Sequence, residues 1–198
     1  MNLPNRLSLL RICMVPLFVA AYFLPCFWGA FIAVALFLLA AATDFLDGYI
    51  ARKYGMVTDL GKLLDPIADK ILVCAALFCV VATNPLQYYY EAWAVTFGLI
   101  LLTLGATVII SRELLISVVR MIAASKGVVV QANVFGKIKT IFQDVSLPLL
   151  VILNSGIFEG TFRIVWWWAS VALFFVAVVL TIVSGVIYLV QNKKVFAN

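Results

Sequence analysis

Apolar residues run along this chain in long blocks, and the polar residues collect between them. Six blocks approach the roughly 20 residues that a helix needs to cross a hydrocarbon core. They lie near Leu7 to Leu24, Trp28 to Ile50, Leu64 to Ala82, Ala92 to Val119, Ile138 to Leu153 and Ile164 to Val190. The pattern predicts an all-α, polytopic membrane protein with six transmembrane helices. The fourth and sixth blocks exceed what a bilayer requires and are expected to project beyond it. A cleavable signal peptide is the rival reading of the first block, because Arg6 and Arg11 precede or enter it. Arg11 lies inside the run, Pro16 follows, and no small-x-small cleavage site precedes the second block. The segment is therefore retained as a short interfacial stretch leading into the first span. No tandem repeat and no linker rich in Pro, Gly or Ser divides the chain, so residues 1–198 are expected to form one domain.

Composition agrees with lipid burial. Of the 198 residues, 66% are hydrophobic and 12% charged, too apolar for the surface of a soluble domain of this length. Six spans place both termini on one side of the membrane. Under that topology Arg6, Arg11, Arg52, Lys53, Lys62, Lys70, Arg112, Arg120, Lys126, Lys137, Lys139, Lys193 and Lys194 fall on or near the terminal side, and Arg163 alone on the other. The positive-inside rule then assigns both termini to the cytoplasm. The net charge of +5 is mostly this asymmetry; it favours anionic lipid headgroups and points to no nucleic acid. Tyr88 to Tyr90 and Trp166 to Trp168 flank spans on the far side and read as interfacial aromatic belts. Cys13, Cys26, Cys74 and Cys79 form no CxxC pair and read as small apolar residues. With no histidine, a zinc site is disfavoured and a His-based triad is excluded.

Charge within the chain is concentrated in one place. Five of the nine acidic residues fall in DFLDGYIARKYGMVTDLGKLLDPIAD, Asp44 to Asp69. Asp44, Asp47, Gly48 and Ala51 are spaced i, i+3, i+4 and i+7, one face of a helix at the cytoplasmic end of the second span. Asp65 and Asp69 are i and i+4 at the start of the third, with Gly61 one turn before. A hairpin between the two helices would bring the aspartate pairs together. A charge within a span costs at least ~2.5 kcal/mol, so cations must balance the cluster. Lys62, Lys70 and Arg52 are near in sequence, but flexible ammonium groups explain neither the strict spacing nor the small residues. Oxygen ligands alone favour a hard divalent ion such as Mg²⁺ or Mn²⁺. Two such ions would neutralise four carboxylates, and ions ~3.5 to 4 Å apart suit displacement at phosphorus. Gly48, Ala51 and Gly61 would admit a bulky substrate to the helix backbones, and Arg52 could pair with a phosphate. Two alternatives remain open on spacing alone: a proton or cation path in a transporter, and helix packing through small residues with incidental charge.

The same segment reads DxxDGxxAR, eight residues, then GxxxDxxxD, with Asp44, Asp47, Gly48, Ala51, Arg52, Gly61, Asp65 and Asp69 at the fixed positions. This resembles the signature of the CDP-alcohol phosphotransferase family, membrane enzymes that join a CDP-linked group to an alcohol. The resemblance implies a six-helix fold, usually homodimeric, with a two-metal site opening toward the cytoplasm. It further implies that Asp44, Asp47 and Asp65 are metal ligands, and that Asp69 lies beside the metals as general base. Asp47, Gly48, Ala51, Arg52 and Gly61 match the CDP-binding positions. Outside the signature, NLPNRLSLLR, ISRELLISVVR (Ile110 to Arg120) and FGKIKT (Phe135 to Thr140) resemble the bacterial phosphatidylglycerophosphate synthase branch of that family, and imply the bacterial inner membrane.

For that branch the donor is CDP-diacylglycerol and the acceptor sn-glycerol 3-phosphate, whose own phosphate needs a basic pocket. Arg112, Arg120, Lys137 and Lys139 supply a candidate acceptor-phosphate cluster. Glu113 and Arg120, seven residues apart on a helix face, are expected to pair. Ser8 and Arg11 are further candidates, while Lys126, Lys193 and Lys194 are assigned to membrane anchoring. The expected reaction gives phosphatidylglycerophosphate and CMP. The alternatives are another acceptor (inositol phosphate, serine or phosphatidylglycerol) and a cation or proton transporter.

Overall fold

The computed structural model describes residues 3–54, 59–85, 92–125 and 134–192. Six α-helices account for nearly all of them: α1 (Leu3–Tyr22), α2 (Phe27–Tyr54), α3 (Asp59–Thr83), α4 (Ala92–Ser125), α5 (Val134–Asn154) and α6 (Gly160–Gln191). Each predicted apolar block lies within or largely within one helix, and there is no strand among the described residues. The first helix is continuous from Leu3, so the expected interfacial stretch is simply its first turns. Helices α4 and α6, of 34 and 32 residues, are each about 50 Å long at 1.5 Å per residue, well beyond a ~30 Å hydrocarbon core. Within them Val95–Ala123 and Gly160–Gln191 are long and apolar enough to cross a membrane. The described apolar stretches of α1, α2 and α3 are shorter: Leu7–Tyr22, Trp28–Thr43 and Lys70–Thr83.

The residues group into two compact units, Met1–Pro85 with Val151–Ile157, and Leu86–Leu150 with Phe158–Asn198. In the first unit α1 packs against both α2 and α3. Phe18 is wholly buried against Phe37 of α2, ring centroids 6.2 Å apart, and Ala33, Ala40 and Ala76 are buried with them. Small residues matter because lipid tails are as apolar as leucine, so close packing and hydrogen bonds, not hydrophobic transfer, hold membrane helices together. The α1–α2 hairpin is tight enough to require glycine at its corner: a Cβ on Gly29 would lie 2.8 Å from the Ala21 carbonyl oxygen. The C-terminal ends of α1 and α3 are tied by a 2.6 Å hydrogen bond between Tyr22 Oη and Thr83 Oγ1. Helix α3 then stops at Asn84, in the left-handed region (φ 42°), whose N–H donates back to the Val80 carbonyl before Pro85.

The second unit is organised by a seam between α4 and α6. On α6 the buried residues Trp167, Ser170, Phe174, Ala177, Thr181, Ser184 and Tyr188 are spaced alternately by three and four. The same alternation on α4 picks out Leu102, Gly105, Ile109, Arg112, Ile116, Val119 and Ala123. All of these α4 positions are buried except Arg112, which is half-buried. Such spacing keeps one stripe of each helix on its partner. The two helices run parallel: Gly105 meets Phe174, Arg112 meets Ser184 and Gly185, and Arg120 lies over Tyr188. A Cβ on Gly105 would stand 2.5 Å from Phe174 Cε1, so the seam closes there only because that residue is glycine.

Candidate active site

The eight signature positions fall on two consecutive helices. Asp44, Asp47, Gly48, Ala51 and Arg52 lie in the last three turns of α2, and Gly61, Asp65 and Asp69 in the first three of α3; their side chains are outside the described residues. Because the backbone is helical through both segments, spacing translates into faces. At about 100° per residue, Asp44, Asp47, Gly48 and Ala51 share an arc of about 100°, and Asp65 and Asp69 stand about 40° apart. Only residues 55–58 separate the two helix ends. The donor set is four carboxylates with no imidazole in the chain, which suits a hard divalent cation. No second cluster of potential metal ligands exists among the described residues.

Helix α1 completes the first unit. Phe18 against Phe37 sets the register of the antiparallel α1–α2 pair. Arg11, seven residues before Phe18, therefore stands at the level of Asp44, seven residues after Phe37. Arg11 is 1% exposed and Ser8 is wholly buried, an unusual placement for a cation.

In the second unit the structure brings together three of the residues expected around the acceptor. Arg112 Nη1 donates to Glu113 Oε1 at 2.9 Å, and Lys139 Nζ of α5 donates to the same oxygen at 2.7 Å. Arg112 Nη2 also donates to Ser184 Oγ on α6 at 3.2 Å. The hydroxyl of Ser184 in turn donates to the Thr181 carbonyl at 3.1 Å, which leaves its lone pairs facing the guanidinium. Glycines make the room: a Cβ on Gly136 would lie 3.1 Å from Arg112 Nη2, and one on Gly185 3.3 Å from Arg112 Cγ. Arg112 therefore occupies a seam position where α4 elsewhere carries apolar or small residues, and three helices hold it.

One expectation changes. Glu113 pairs with Arg112 and Lys139, not with Arg120, because seven residues are two turns, about 10 Å of rise, and too far for the pair. Arg120 instead lies over the buried Tyr188 ring, 5.9 Å from its centroid, against Ile116 and Val119. Of the three tryptophans read as an interfacial belt, Trp168 is exposed, but Trp167 is buried and Trp166 donates to the Leu149 carbonyl at 3.2 Å. Tyr88 to Tyr90 lie outside the described residues. Lys137 is exposed, and Lys126, Lys193 and Lys194 lie outside the described residues. Of the cysteines read as small apolar residues, Cys79 is buried, Cys74 half-buried, and Cys13 and Cys26 are exposed. Sequence reasoning did not single out Ser184, Gly185 or Tyr188. The signal was available in the three-four alternation of α6, which places a small polar pair where an apolar residue would otherwise seal the seam.

Comparison with known proteins follows the same lines. A family model described as CDP-alcohol phosphatidyltransferase matches residues 1–183. A Bacillus subtilis (strain 168) protein named CDP-diacylglycerol–glycerol-3-phosphate 3-phosphatidyltransferase is 39% identical over 96% of this chain and 95% of its own length. A protein of the same name from Escherichia coli (strain K12) is 37% identical over 95% of this chain and 93% of its own.

Proposed function

Because the chain belongs to the CDP-alcohol phosphatidyltransferase family, we propose that it transfers the phosphatidyl group of CDP-diacylglycerol to sn-glycerol 3-phosphate, giving phosphatidylglycerophosphate and CMP. The observation that carries this reading is the likeness, over at least 95% of the chain, to two relatives bearing that activity in their names. The family uses divalent metal ions. Here Asp44, Asp47, Asp65 and Asp69 would hold two, Mg²⁺ or Mn²⁺. Bound there, such ions supply positive charge to the pyrophosphate and to the departing CMP oxygen.

The chain's own residues do the rest. Asp69 accepts the proton of the attacking hydroxyl as its oxygen bonds to the phosphatidyl phosphorus and the bond to CMP breaks. Gly48, Ala51 and Gly61 lack the bulk that would keep the cytidine group from the helix backbones, and Arg52 offers a planar fork of donors to a donor phosphate, with Asp47 alongside. Arg112, Arg120 and Lys137, with Lys139 behind them, supply positive charge for the acceptor's phosphate. An acceptor lacking a phosphate, such as serine, would leave that cluster without a task; inositol phosphate is the alternative that would use it.

In this reading residues 1–198 act as one membrane domain of six spans. Both termini and the active site face the cytoplasm of a bacterial inner membrane, in keeping with the basic residues on that side, and the protein works as a homodimer. The test is CMP release by purified protein in mixed micelles with CDP-diacylglycerol, one acceptor at a time. Release that depends on glycerol 3-phosphate and on a divalent ion is expected. Release with serine or inositol phosphate but not glycerol 3-phosphate would reassign the acceptor, and no release with any would return the aspartates to a transport role.

A further inference from the structure

The four basic residues assigned to the acceptor phosphate do not have equal access to a ligand. The Lys139 side chain is 2% exposed, against 14% for Arg112 and 24% for Glu113. Its ammonium makes its one hydrogen bond among the described residues to Glu113 Oε1. An anion cannot reach Lys139 Nζ without displacing that carboxylate. Arg112 is different. Of its five N–H donors, one goes to Glu113 and one to Ser184, and Nε is buried with no partner among the described residues. The guanidinium is thus pinned from two sides, by a carboxylate from its own helix and a hydroxyl from α6, with donors unspent.

Glu113 is at first sight misplaced, since a carboxylate beside Arg112 repels an incoming phosphate. The charges resolve this. Arg112, Glu113 and Lys139 together carry one net positive charge; without Lys139 the remaining pair is neutral, and without Glu113 two cations stand close with one of them buried. Asp144, further along α5, is the other acidic residue acting on Lys139, and at a lesser strength than Glu113.

We propose that Lys139 and Glu113 are positioning residues, which orient the Arg112 guanidinium toward an anionic phosphate, and that Lys139 itself does not touch the acceptor. This rests on the reading that Arg112 meets the acceptor phosphate. Positioning and direct contact predict opposite outcomes when the pair is removed together. Lys139→Met leaves Glu113 to cancel Arg112, so the KM for glycerol 3-phosphate rises about tenfold or more, the scale of one charge-assisted hydrogen bond. Adding Glu113→Gln restores the net charge and keeps an amide oxygen for Arg112 Nη1. The double variant therefore falls back to within about threefold of the parent. Were Lys139 a phosphate ligand, no change at Glu113 could replace it.

The experiment measures KM for each substrate in the full-length protein, in mixed micelles, for Arg112→Ala, Lys139→Met, Glu113→Gln and the double variant. Loss of fold would move both substrates' constants; a positioning role moves the glycerol 3-phosphate constant and leaves that of CDP-diacylglycerol alone. A double variant no better than Lys139→Met overturns the proposal. Where the single variants do not fold, the double variant, which keeps the parent's net charge at the cluster, decides alone: a glycerol 3-phosphate KM tenfold or more above the parent's overturns the proposal, and one near it supports it. An unchanged constant in Arg112→Ala would instead overturn the underlying assignment of the acceptor phosphate to Arg112.

Discussion

Gly105→Ala is a change whose sign the structure decides. On an open helix face alanine is favoured over glycine by about 0.8–1.0 kcal/mol, so without tertiary contact the substitution would stabilise. Here the new Cβ would stand 2.5 Å from Phe174 Cε1, 2.8 Å from its Cζ and 3.0 Å from Val178 Cγ2. Carbon atoms prefer about 3.5–4.0 Å, so either the ring or α6 must move by roughly 1 Å. Phe174 is 1% exposed and cannot swing outward without opening a gap elsewhere. Overpacking of this kind costs about 1–3 kcal/mol, which outweighs the propensity gain. For a chain of 198 residues, each kcal/mol corresponds to about 2–4 °C in Tm. A fall of several degrees is expected in thermal unfolding of the detergent-solubilised protein. Phe174→Leu in the same chain should recover part of the loss, since the shorter side chain removes both clashing atoms. A Gly105→Ala protein at least as stable as the parent would falsify the close approach of α4 and α6, and with it the seam that carries Arg112.

Three further outcomes follow from the proposed chemistry. Asp44→Asn, Asp47→Asn and Asp65→Asn each remove a charged ligand at nearly constant volume, so turnover and the affinity for divalent ion should fall together; near-parental turnover in excess chelator would sink the two-ion reading. Asp69→Asn should lose turnover far more than CDP-diacylglycerol binding, because the amide cannot take the hydroxyl proton; restoration of rate by excess metal would leave Asp69 as a metal ligand only and remove its role as the base. Arg120→Ala should raise the KM for glycerol 3-phosphate by roughly ten- to a hundredfold, and Arg52→Ala that for CDP-diacylglycerol; Lys126→Ala is the control, and an Arg120→Ala protein that matches it would leave Arg120 as a membrane anchor.

The helices and the aspartate signature were legible in the sequence because both depend on local spacing. An apolar run buried in lipid must satisfy its backbone internally, which is why long apolar blocks read as helices, and six helices are what the described residues form. Intervals of three and four then set which aspartates share a face, whatever the rest of the chain does. Partners across helices are a different matter. Spacing along α4 suggested Arg120 for Glu113, yet two turns separate them, while Lys139 arrives from 26 residues away on α5 at 2.7 Å. Likewise nothing local to Arg112 reveals that Ser184, 72 residues on, receives its guanidinium. Even the seam, written in the alternation of α4 and α6 separately, acquires a direction only when Gly105 meets Phe174 and Arg112 meets Ser184. Helix periodicity is an intrachain repeat of a few ångströms, fixed by backbone geometry. Which stripes meet, and at what register, is decided by side-chain volumes and hydrogen bonds between segments far apart in the chain, and these exist only once the helices have packed.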